Sequence, residues 1–104
     1  MLKKHKLKKL INGPISKKTF LNRKFLGITE YISSKFSIKK NCMLIYNKNL
    51  SVCPITTHLP LKDVSKKISK QKIIEKAKLI YTFYEKNLDI RPRIAILGLN
   101  PHCE

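Results

Sequence analysis

Glycine and acidic residues are scarce in this chain of 104 residues, and long apolar runs are missing. The three glycines, Gly13, Gly27 and Gly98, lie too far apart to form a Gly-x-Gly-x-x-Gly nucleotide-binding loop. Only six residues are Asp or Glu, which leaves no recognisable carboxylate pair for acid–base catalysis. No apolar run approaches the roughly 20 residues that a membrane-spanning helix needs. These absences exclude a dinucleotide fingerprint and predict a soluble protein.

The three cysteines, Cys42, Cys53 and Cys103, are odd in number and show no Cys-x-x-Cys spacing. Neither a disulfide framework nor a structural zinc ribbon is therefore indicated. The first nine residues are basic and contain too few apolar residues for the hydrophobic part of a signal peptide. We expect reduced thiols and a cytoplasmic location.

The formal net charge is +17, and it comes from 20 Lys and three Arg against six acids. A large positive charge is typical of proteins that bind nucleic acid. However, the Lys are spread over the whole length, and Arg, which binds phosphate through two parallel hydrogen bonds, is rare. A small basic nucleic-acid-binding module stays open as an alternative, but a compositional bias toward Lys explains the charge better.

The first third of the chain shows short strand and helix patterns. Residues 10–12 predict a strand that ends at a Gly-Pro turn, and Ser16 is placed to cap a short helix over residues 17–21. Thr29 is the predicted cap of a second helix. The buried face of that helix is predicted to comprise Tyr31, Ile32 and Phe36.

A hairpin and a long helix are predicted next. Residues 42–46 and 50–55 are β-type runs joined by an Asn-rich segment, which is a hairpin signal because Asn tolerates positive φ. The longest helix is predicted to start at Ser69 and to end near Asn87, because apolar residues recur there at three- and four-residue steps. These residues are Ile73, Ile74, Ala77, Ile80, Tyr81, Tyr84 and Leu88.

The last apolar run, residues 93–97 (RIAIL), predicts a strand that is apolar on both faces, as in the centre of an α/β sheet. A hydrophobic fraction of 42% is enough to build a core. The order of strands and helices therefore predicts an α/β layered fold. The whole chain, residues 1–104, is predicted to form a single partial domain with no internal boundary.

Two histidines, His58 and His102, each follow a predicted strand and lie beside a proline. The first lies in residues 56–64 (TTHLPLKDV) and the second in residues 98–102 (GLNPH). Neutral imidazoles are common ligands of divalent metals, and two rings at neighbouring strand ends can share one ion. The alternative is that they are two unrelated loop histidines.

The two histidine turns and the long helix between them resemble the 4-hydroxythreonine-4-phosphate dehydrogenase family of vitamin B6 biosynthesis. That family carries a Thr-Thr-His-x-Pro-Leu turn and a Gly-Leu-Asn-Pro-His turn at nearly this separation. Upstream, residues 12–17 (NGPISK) resemble its Gly/Ala-Pro-Ile-x-Lys strand end, and residues 27–30 (GITE) resemble its Gly-His-Thr-Glu. Four motifs in the family's order cover most of the chain.

The resemblance implies a fragment of a layered α/β/α fold with a mixed sheet, like that of isocitrate and isopropylmalate dehydrogenases. It implies oxidation of a small phosphorylated amino acid, 4-phosphooxy-L-threonine, by NAD or NADP. The product, 2-amino-3-oxo-4-phosphooxybutanoate, decarboxylates to 3-amino-2-oxopropyl phosphate in pyridoxal phosphate biosynthesis. The resemblance also implies a homodimer and a divalent metal (Zn, Mg or Co) held by three histidines.

Residue by residue, the resemblance makes His58 and His102 metal ligands and Thr29 a substrate contact. Ile28 stands where the family has a substrate-binding His, so this polar contact is missing or comes from elsewhere. The structural alternative for Lys17 and Asp63 is a solvated or turn-stabilising role, although Asp63 is also a candidate to orient a ligand histidine.

Members of the resembled family are much longer than this chain. We therefore expect the third metal histidine and much of the nucleotide pocket to lie outside this sequence, and we expect the chain to be inactive alone. A degenerate, non-catalytic remnant that packs with another polypeptide is a further interpretation. The uncovered faces of its strands would make the isolated chain marginally stable or oligomeric.

Overall fold

A computed structural model of the protein describes residues 9–16, 18–19, 24–25 and 27–102. It contains three helices: α1 (Ile28–Lys35), α2 (Leu61–Lys67) and α3 (Lys70–Leu88). Across these described ranges, the three helices do not pack against one another. No described helix combines the length and the apolar character that crossing a membrane requires.

The first predicted helix can be followed only at its start. Ser16 Oγ accepts a hydrogen bond from the backbone N–H of Thr19 at 3.3 Å, which is the bond expected of a capping serine. Residues 18–19 form a turn. The rest of the predicted helix, including Lys17, lies outside the described residues. Residues 10–12, predicted as a strand, are not part of any β-ladder in the described structure.

Helix α1 begins one residue before the predicted cap. Gly27 is its N-cap in an extended conformation, and the Gly27 carbonyl accepts from the N–H of Tyr31 at 3.2 Å. Thr29 is the second residue of the helix, so its prediction as the cap is wrong. The extended backbone of Gly27 already ends the preceding segment, and the helical hydrogen bonds start from its carbonyl. The predicted inner face is only half-buried, with the Phe25 and Tyr31 rings edge to face at 5.5 Å.

The predicted hairpin is confirmed at one pair of residues. Ile45 and Val52 exchange two backbone hydrogen bonds, of 2.8 Å and 3.0 Å, as an antiparallel pair. In the turn between them, Asn47 Oδ1 accepts from the N–H of Asn49 at 2.9 Å, which is an Asx turn. The register of the hairpin is therefore defined, although the ladder does not extend into full strands in the described chain.

Helix α2 was not predicted from the sequence. It follows Pro60, and the N–H of Asp63 donates to the Pro60 carbonyl at 2.9 Å. Asp63 lies in its first turn, whereas Lys66 and Lys67 lie in its last turn, so the side-chain charges complement the helix dipole. The helix has seven residues, which is too short for an apolar repeat to reveal it.

Helix α3 is the predicted long helix and confirms the predicted start. Ser69 is the N-cap, and its Oγ accepts from the N–H of Lys72 at 3.3 Å. The helix continues one residue past Asn87 to Leu88. Asp89 then adopts the left-handed conformation, with φ 55°, and the N–H groups of Asp89 and Ile90 both donate to the Tyr84 carbonyl.

Replacing Ser69 with Ala is expected to destabilise the start of α3 by about 1 kcal/mol, because the N–H of Lys72 loses its acceptor. Hydrogen exchange at the amides of Lys72 and Ile73 should accelerate about fivefold, as that free energy corresponds to a factor of this size. Ser69→Asn is the matched control, since Asn also caps helices well. Equal exchange rates in the two variants would contradict the capping role.

One tyrosine joins the hairpin to α3. The Tyr84 hydroxyl donates to Ser51 Oγ at 2.7 Å, and the Tyr84 ring lies 6.2 Å from that of Tyr46. Tyr84 is half-buried, so the hydrogen bond is partly shielded from water. This contact links residues 33 positions apart and sets the hairpin against the helix.

Tyr84→Phe is expected to loosen the hairpin by about 1 kcal/mol, because the hydrogen bond to Ser51 is lost while the ring remains. Exchange at the amides of Ile45 and Val52 should accelerate about fivefold. Ser51→Ala also removes the two hydrogen bonds between Ser51 and the Asn47 backbone, so its own effect is larger. Tyr84→Phe should add little to Ser51→Ala, because the Tyr84 hydroxyl has then already lost its partner. Tyr81→Phe, on an exposed ring of the same helix, should leave both amides unchanged. Additive effects of Tyr84→Phe and Ser51→Ala would contradict the contact.

The predicted strand over residues 93–97 is not observed as a strand. A strand requires hydrogen bonds to a neighbouring strand. The only such pair in the described ranges is Ile45 with Val52, so residues 93–97 have no strand partner there. Ile96 is 64% exposed and Leu97 is 90% exposed, the opposite of a central strand. The mixed sheet is therefore not observed, because no described segment covers these residues.

Low burial extends over the whole described chain. No described residue is fully buried. The accessible surface is 9717 Å², whereas a compact protein of this mass exposes about 6,000 Å². The radius of gyration is 16.0 Å, against about 13 Å for a compact domain of this length. The residues that the structure describes therefore do not build a hydrophobic core of the expected size.

Candidate functional site

The first histidine turn connects the hairpin to α2. His58 adopts a left-handed backbone conformation, with φ 55°, and its side chain is exposed. This conformation costs an L-residue about 1–2 kcal/mol, although His, Asn and Asp adopt it more often than most residues. Thr56 and Thr57 before it are half-buried, and Pro60 after it caps α2. The turn therefore presents an imidazole at the surface between two anchored segments.

The second histidine turn lies at the end of the described chain. Residues 99–102 form a bend and a turn, and His102 is exposed. A Cβ on Gly98 would meet the Cα of Pro101 at 3.7 Å, which is ordinary van der Waals contact. The conformation seen here therefore does not by itself require glycine at position 98.

The metal-binding prediction is only partly matched by the donors present. Both histidines offer exposed imidazoles, whose neutral nitrogens suit Zn²⁺ or Co²⁺. Across residues 27–102 and the shorter described segments, no group of three or more His, Cys, Asp or Glu side chains is placed to hold an ion. The described residues therefore do not complete a metal site.

The predicted substrate contact lies on the first turn of α1. Ile28 and Thr29 are its first two residues, and both are half-buried. Backbone N–H groups at a helix start have no partner within the helix, so the Thr29 hydroxyl lies beside groups that can donate to a ligand. Ile28 has no polar side-chain atom and provides an apolar contact only.

Glu30 is a candidate that sequence reasoning left without a role. Its Oε2 is buried and, in the described structure, has no hydrogen-bond partner. A Cβ on Gly27 would approach this oxygen to 3.1 Å, so the glycine leaves room for the carboxylate. A buried oxygen without a donor is unusual. The signal in the sequence is an acid directly after Thr29, within the segment GITE.

A basic cleft lies beside the first histidine turn. The cleft has a volume of about 350 Å³, and Thr56, Thr57 and Leu59 line one part of it. Five lysines and one glutamate also line it: Lys39, Lys40, Lys67, Lys72, Lys76 and Glu75. The excess of positive charge favours an anion. Sequence reasoning missed this cluster because its lysines come from three separate segments.

Two lysines of the cleft are held in place by polar contacts. Lys72 Nζ donates to the carbonyl of Lys67 at 2.8 Å, and Lys40 Nζ lies 3.3 Å from Glu75 Oε1. The hydrogen bond from Gln71 and then the pairing with Lys40 lower the pKa of Glu75. Glu75 therefore stays ionised and offsets part of the positive charge.

The family model described as pyridoxal phosphate biosynthetic protein PdxA matches residues 1–104, the whole chain. The chain belongs to the PdxA family. Its assignment rests on the entire sequence, including the histidine turns of His58 and His102. PdxA membership also favours a dehydrogenase-like α/β fold for the complete family protein, although the described part of this chain contains three helices and a single isolated β-bridge.

Relatives of this PdxA chain carry the name 4-hydroxythreonine-4-phosphate dehydrogenase. The protein of Sulfurihydrogenibium sp. (strain YO3AOP1) is 44% identical over 97 residues, covering 90% of this chain and 30% of the relative. The protein of Aquifex aeolicus is 38% identical over 77 residues, which cover 74% of this chain and 24% of the relative. The protein of Bacteroides thetaiotaomicron is 33% identical over 98 residues, which cover 90% of this chain and 27% of the relative. The chain thus spans less than a third of these relatives. No solved structure matches it.

Proposed function

We propose that this chain forms part of a 4-hydroxythreonine-4-phosphate dehydrogenase and contributes two histidines to its metal site. The reaction is the oxidation of 4-phosphooxy-L-threonine by NAD or NADP in pyridoxal phosphate biosynthesis. The observation that carries the proposal is the pair of exposed histidine turns, at His58 and His102, within a chain of the PdxA family. The proposed setting is a cytoplasmic homodimer.

In this proposal His58, His102 and a further ligand from outside the described residues would hold a zinc, magnesium or cobalt ion. When bound, such an ion supplies Lewis-acid polarisation of a substrate oxygen. Thr29 hydrogen-bonds the substrate from the start of α1. The left-handed backbone conformation of His58 sets the direction in which its imidazole would meet the metal ion.

The basic cleft supports a phosphorylated substrate. Its five lysines line the cleft together with Thr56, Thr57 and Leu59 of the first histidine turn, and their field raises the local concentration of an anion. The substrate carries a phosphate and a carboxylate, so it is attracted as it approaches. Ile28 gives no polar contact at the position resembling the family's histidine, so Thr29 provides the polar contact on this turn of α1.

The oxidation itself removes a hydride from the hydroxyl-bearing carbon of the substrate and releases the hydroxyl proton, and a nicotinamide cofactor, when bound, would accept the hydride. The resulting 2-amino-3-oxo-4-phosphooxybutanoate loses CO₂ to give 3-amino-2-oxopropyl phosphate. We infer that the chain alone does not catalyse this reaction, because its described residues hold no complete set of metal ligands.

A chimera tests the proposal. The 97 matched residues of the Sulfurihydrogenibium relative are replaced by those of this chain, and NADH formation from 4-phosphooxy-L-threonine is measured. We expect activity that depends on the added metal and that is lost in the chimera carrying His58→Asn. A folded, metal-loaded chimera with no more activity than this variant would contradict the proposal and favour a non-catalytic remnant.

The alternative of a nucleic-acid-binding module makes a different prediction. Binding to DNA or RNA through lysines would weaken steeply as salt rises, because counterions are released. Specific, salt-dependent binding by the isolated chain, together with an inactive chimera, would favour that module.

A further inference from the structure

The hairpin places two cysteines on one face. Ile45 and Val52 form a hydrogen-bonded antiparallel pair, so the register sets Cys53 opposite Leu44. Cys42 lies two residues before Leu44 and therefore projects to the same face. Cys42 and Cys53 are diagonal neighbours in this register.

The two thiols interact in the structure. Burial is the main cause that raises the pKa of Cys53, and the neighbouring Cys42 thiol raises it further, through its charge and through a hydrogen bond. Lys76 acts in the opposite direction and lowers this pKa. Both cysteines are half-buried and free. Cys53 Sγ also donates to the carbonyl of Pro54 at 3.7 Å.

The backbone near the two cysteines can adjust. Diagonal neighbours in a regular ladder lie about 7–8 Å apart, and a disulfide needs Cα atoms within about 4.4–6.8 Å. The ladder hydrogen bonds of the hairpin are confined, in the described chain, to the Ile45–Val52 pair. Residues 42–44 and 53–55 are thus not held by further ladder pairing, which leaves this part of the backbone free to shift toward the geometry of a disulfide.

We propose that Cys42 and Cys53 form a reversible disulfide that closes the base of the hairpin under oxidising conditions. The oxidant is a low-molecular-weight disulfide such as oxidised glutathione. One protein thiolate attacks it, forms a mixed disulfide and releases one glutathione thiolate. The second protein thiolate then attacks the mixed disulfide and releases the other. The protein pair loses two electrons, oxidised glutathione gains them, and the two thiol protons end on the two glutathione molecules.

The disulfide fastens the segment that leads to the first histidine turn. Cys53 lies five residues before His58. The closed hairpin therefore fixes the position at which residues 54–57 begin. Oxidation therefore restricts the turn without consuming any residue of the proposed site. The inference does not depend on the dehydrogenase proposal, because the test reads the bond and not activity.

Tryptic mapping tests the disulfide. The chain is incubated with oxidised glutathione, free thiols are alkylated, and trypsin cuts at Lys48, between the two cysteines. We expect a linked pair of peptides, residues 41–48 joined to 49–62, as the main product. Cys53→Ser should abolish it, and Cys103→Ser should leave its yield unchanged.

Comparing the yield of the disulfide in native buffer and in urea shows whether it depends on the folded hairpin or only on the short separation of the two cysteines in the sequence. The yield of the Cys42–Cys53 link, relative to links that involve Cys103, should be about tenfold higher in native buffer than in urea, because the hairpin orients the two thiols. An equal ratio in both solvents would overturn the proposal, as would mixed glutathione disulfides in similar yield on all three cysteines.

The pH dependence supplies a further readout. The pKa of Cys53 is raised, so its reactive thiolate is scarce at neutral pH. Alkylation of Cys53 should therefore keep accelerating with pH beyond the point at which an ordinary cysteine thiol levels off. Lys76→Ala should slow it at a given pH, because the lysine that lowers this pKa is removed. A rate that levels off below pH 8 would contradict the environment described for this thiol.

Discussion

A His58→Asn variant of the chain is expected to bind Co²⁺ at least about tenfold more weakly than the unchanged chain. Replacing even the partners that orient a metal ligand costs about 10–100-fold in affinity, and here the ligand itself is removed. Asn is chosen because it tolerates the left-handed conformation of residue 58. The turn is therefore kept while the imidazole is lost. Titration calorimetry with Co²⁺ measures the change.

Two further variants make this result specific. His102→Asn should weaken binding to a similar extent, and the double variant should bind little more weakly than either single one, as expected if both rings hold one ion. His5→Asn removes the third histidine of the sequence and should change the affinity less than twofold. Unaltered Co²⁺ binding in the His58 and His102 variants would show that the two histidines are unrelated loop residues.

The isolated chain is expected to show no cooperative thermal transition. A compact domain of about 100 residues unfolds with about 60–80 kcal/mol of enthalpy. This chain exposes 9717 Å² and has no fully buried residue in its described part. Its apolar side chains are already largely in contact with water, so little heat remains to be absorbed. Scanning calorimetry should give a broad, low signal, and a sharp two-state peak of normal enthalpy would contradict this description.

Exposed apolar residues near the second histidine turn should drive self-association. Leu97 is 90% exposed and follows Ile94 and Ile96 in one apolar run. Leu97→Gln is therefore expected to reduce association in analytical ultracentrifugation. Leu61→Gln is the matched control, since Leu61 is 87% exposed but stands outside such a run. Equal effects of the two substitutions would show that the run is not the associating surface.

Local signals in the sequence were sufficient where the structure is local. Helix α3 carries its own apolar repeat and its own cap, Ser69, and its start was predicted to the residue. The Asn-rich turn set the hairpin around Ile45 and Val52. Such features depend on neighbours within a few positions, so they form without a covering core.

Predictions that needed distant partners were not observed. Residues 93–97 have the composition of a central strand, but a strand needs another strand beside it, and none is present in the described ranges.

Helix α2 was missed because its seven residues carry too few apolar positions. Thr29 was named as a cap because of its residue type, whereas the extended backbone of Gly27 decides where α1 begins.

The candidate site was predictable to the extent that motifs define it. The sequence motifs around His58 and His102 located both turns, and both histidines lie exposed at the surface. Spatial groupings had no such signal. The basic cleft joins lysines from separate segments, and the Cys42–Cys53 pair depends on the hairpin register. Their chemistry becomes visible only once the chain is folded.

The most direct test of the two-histidine site is anomalous diffraction from crystals of the zinc-loaded chimera. We expect one zinc ion with ring nitrogens of both His58 and His102 at about 2.0–2.1 Å, and a further ligand from the remainder of the chimera. A zinc ion bound to neither histidine, or to only one of them, would show that His58 and His102 do not share a metal site.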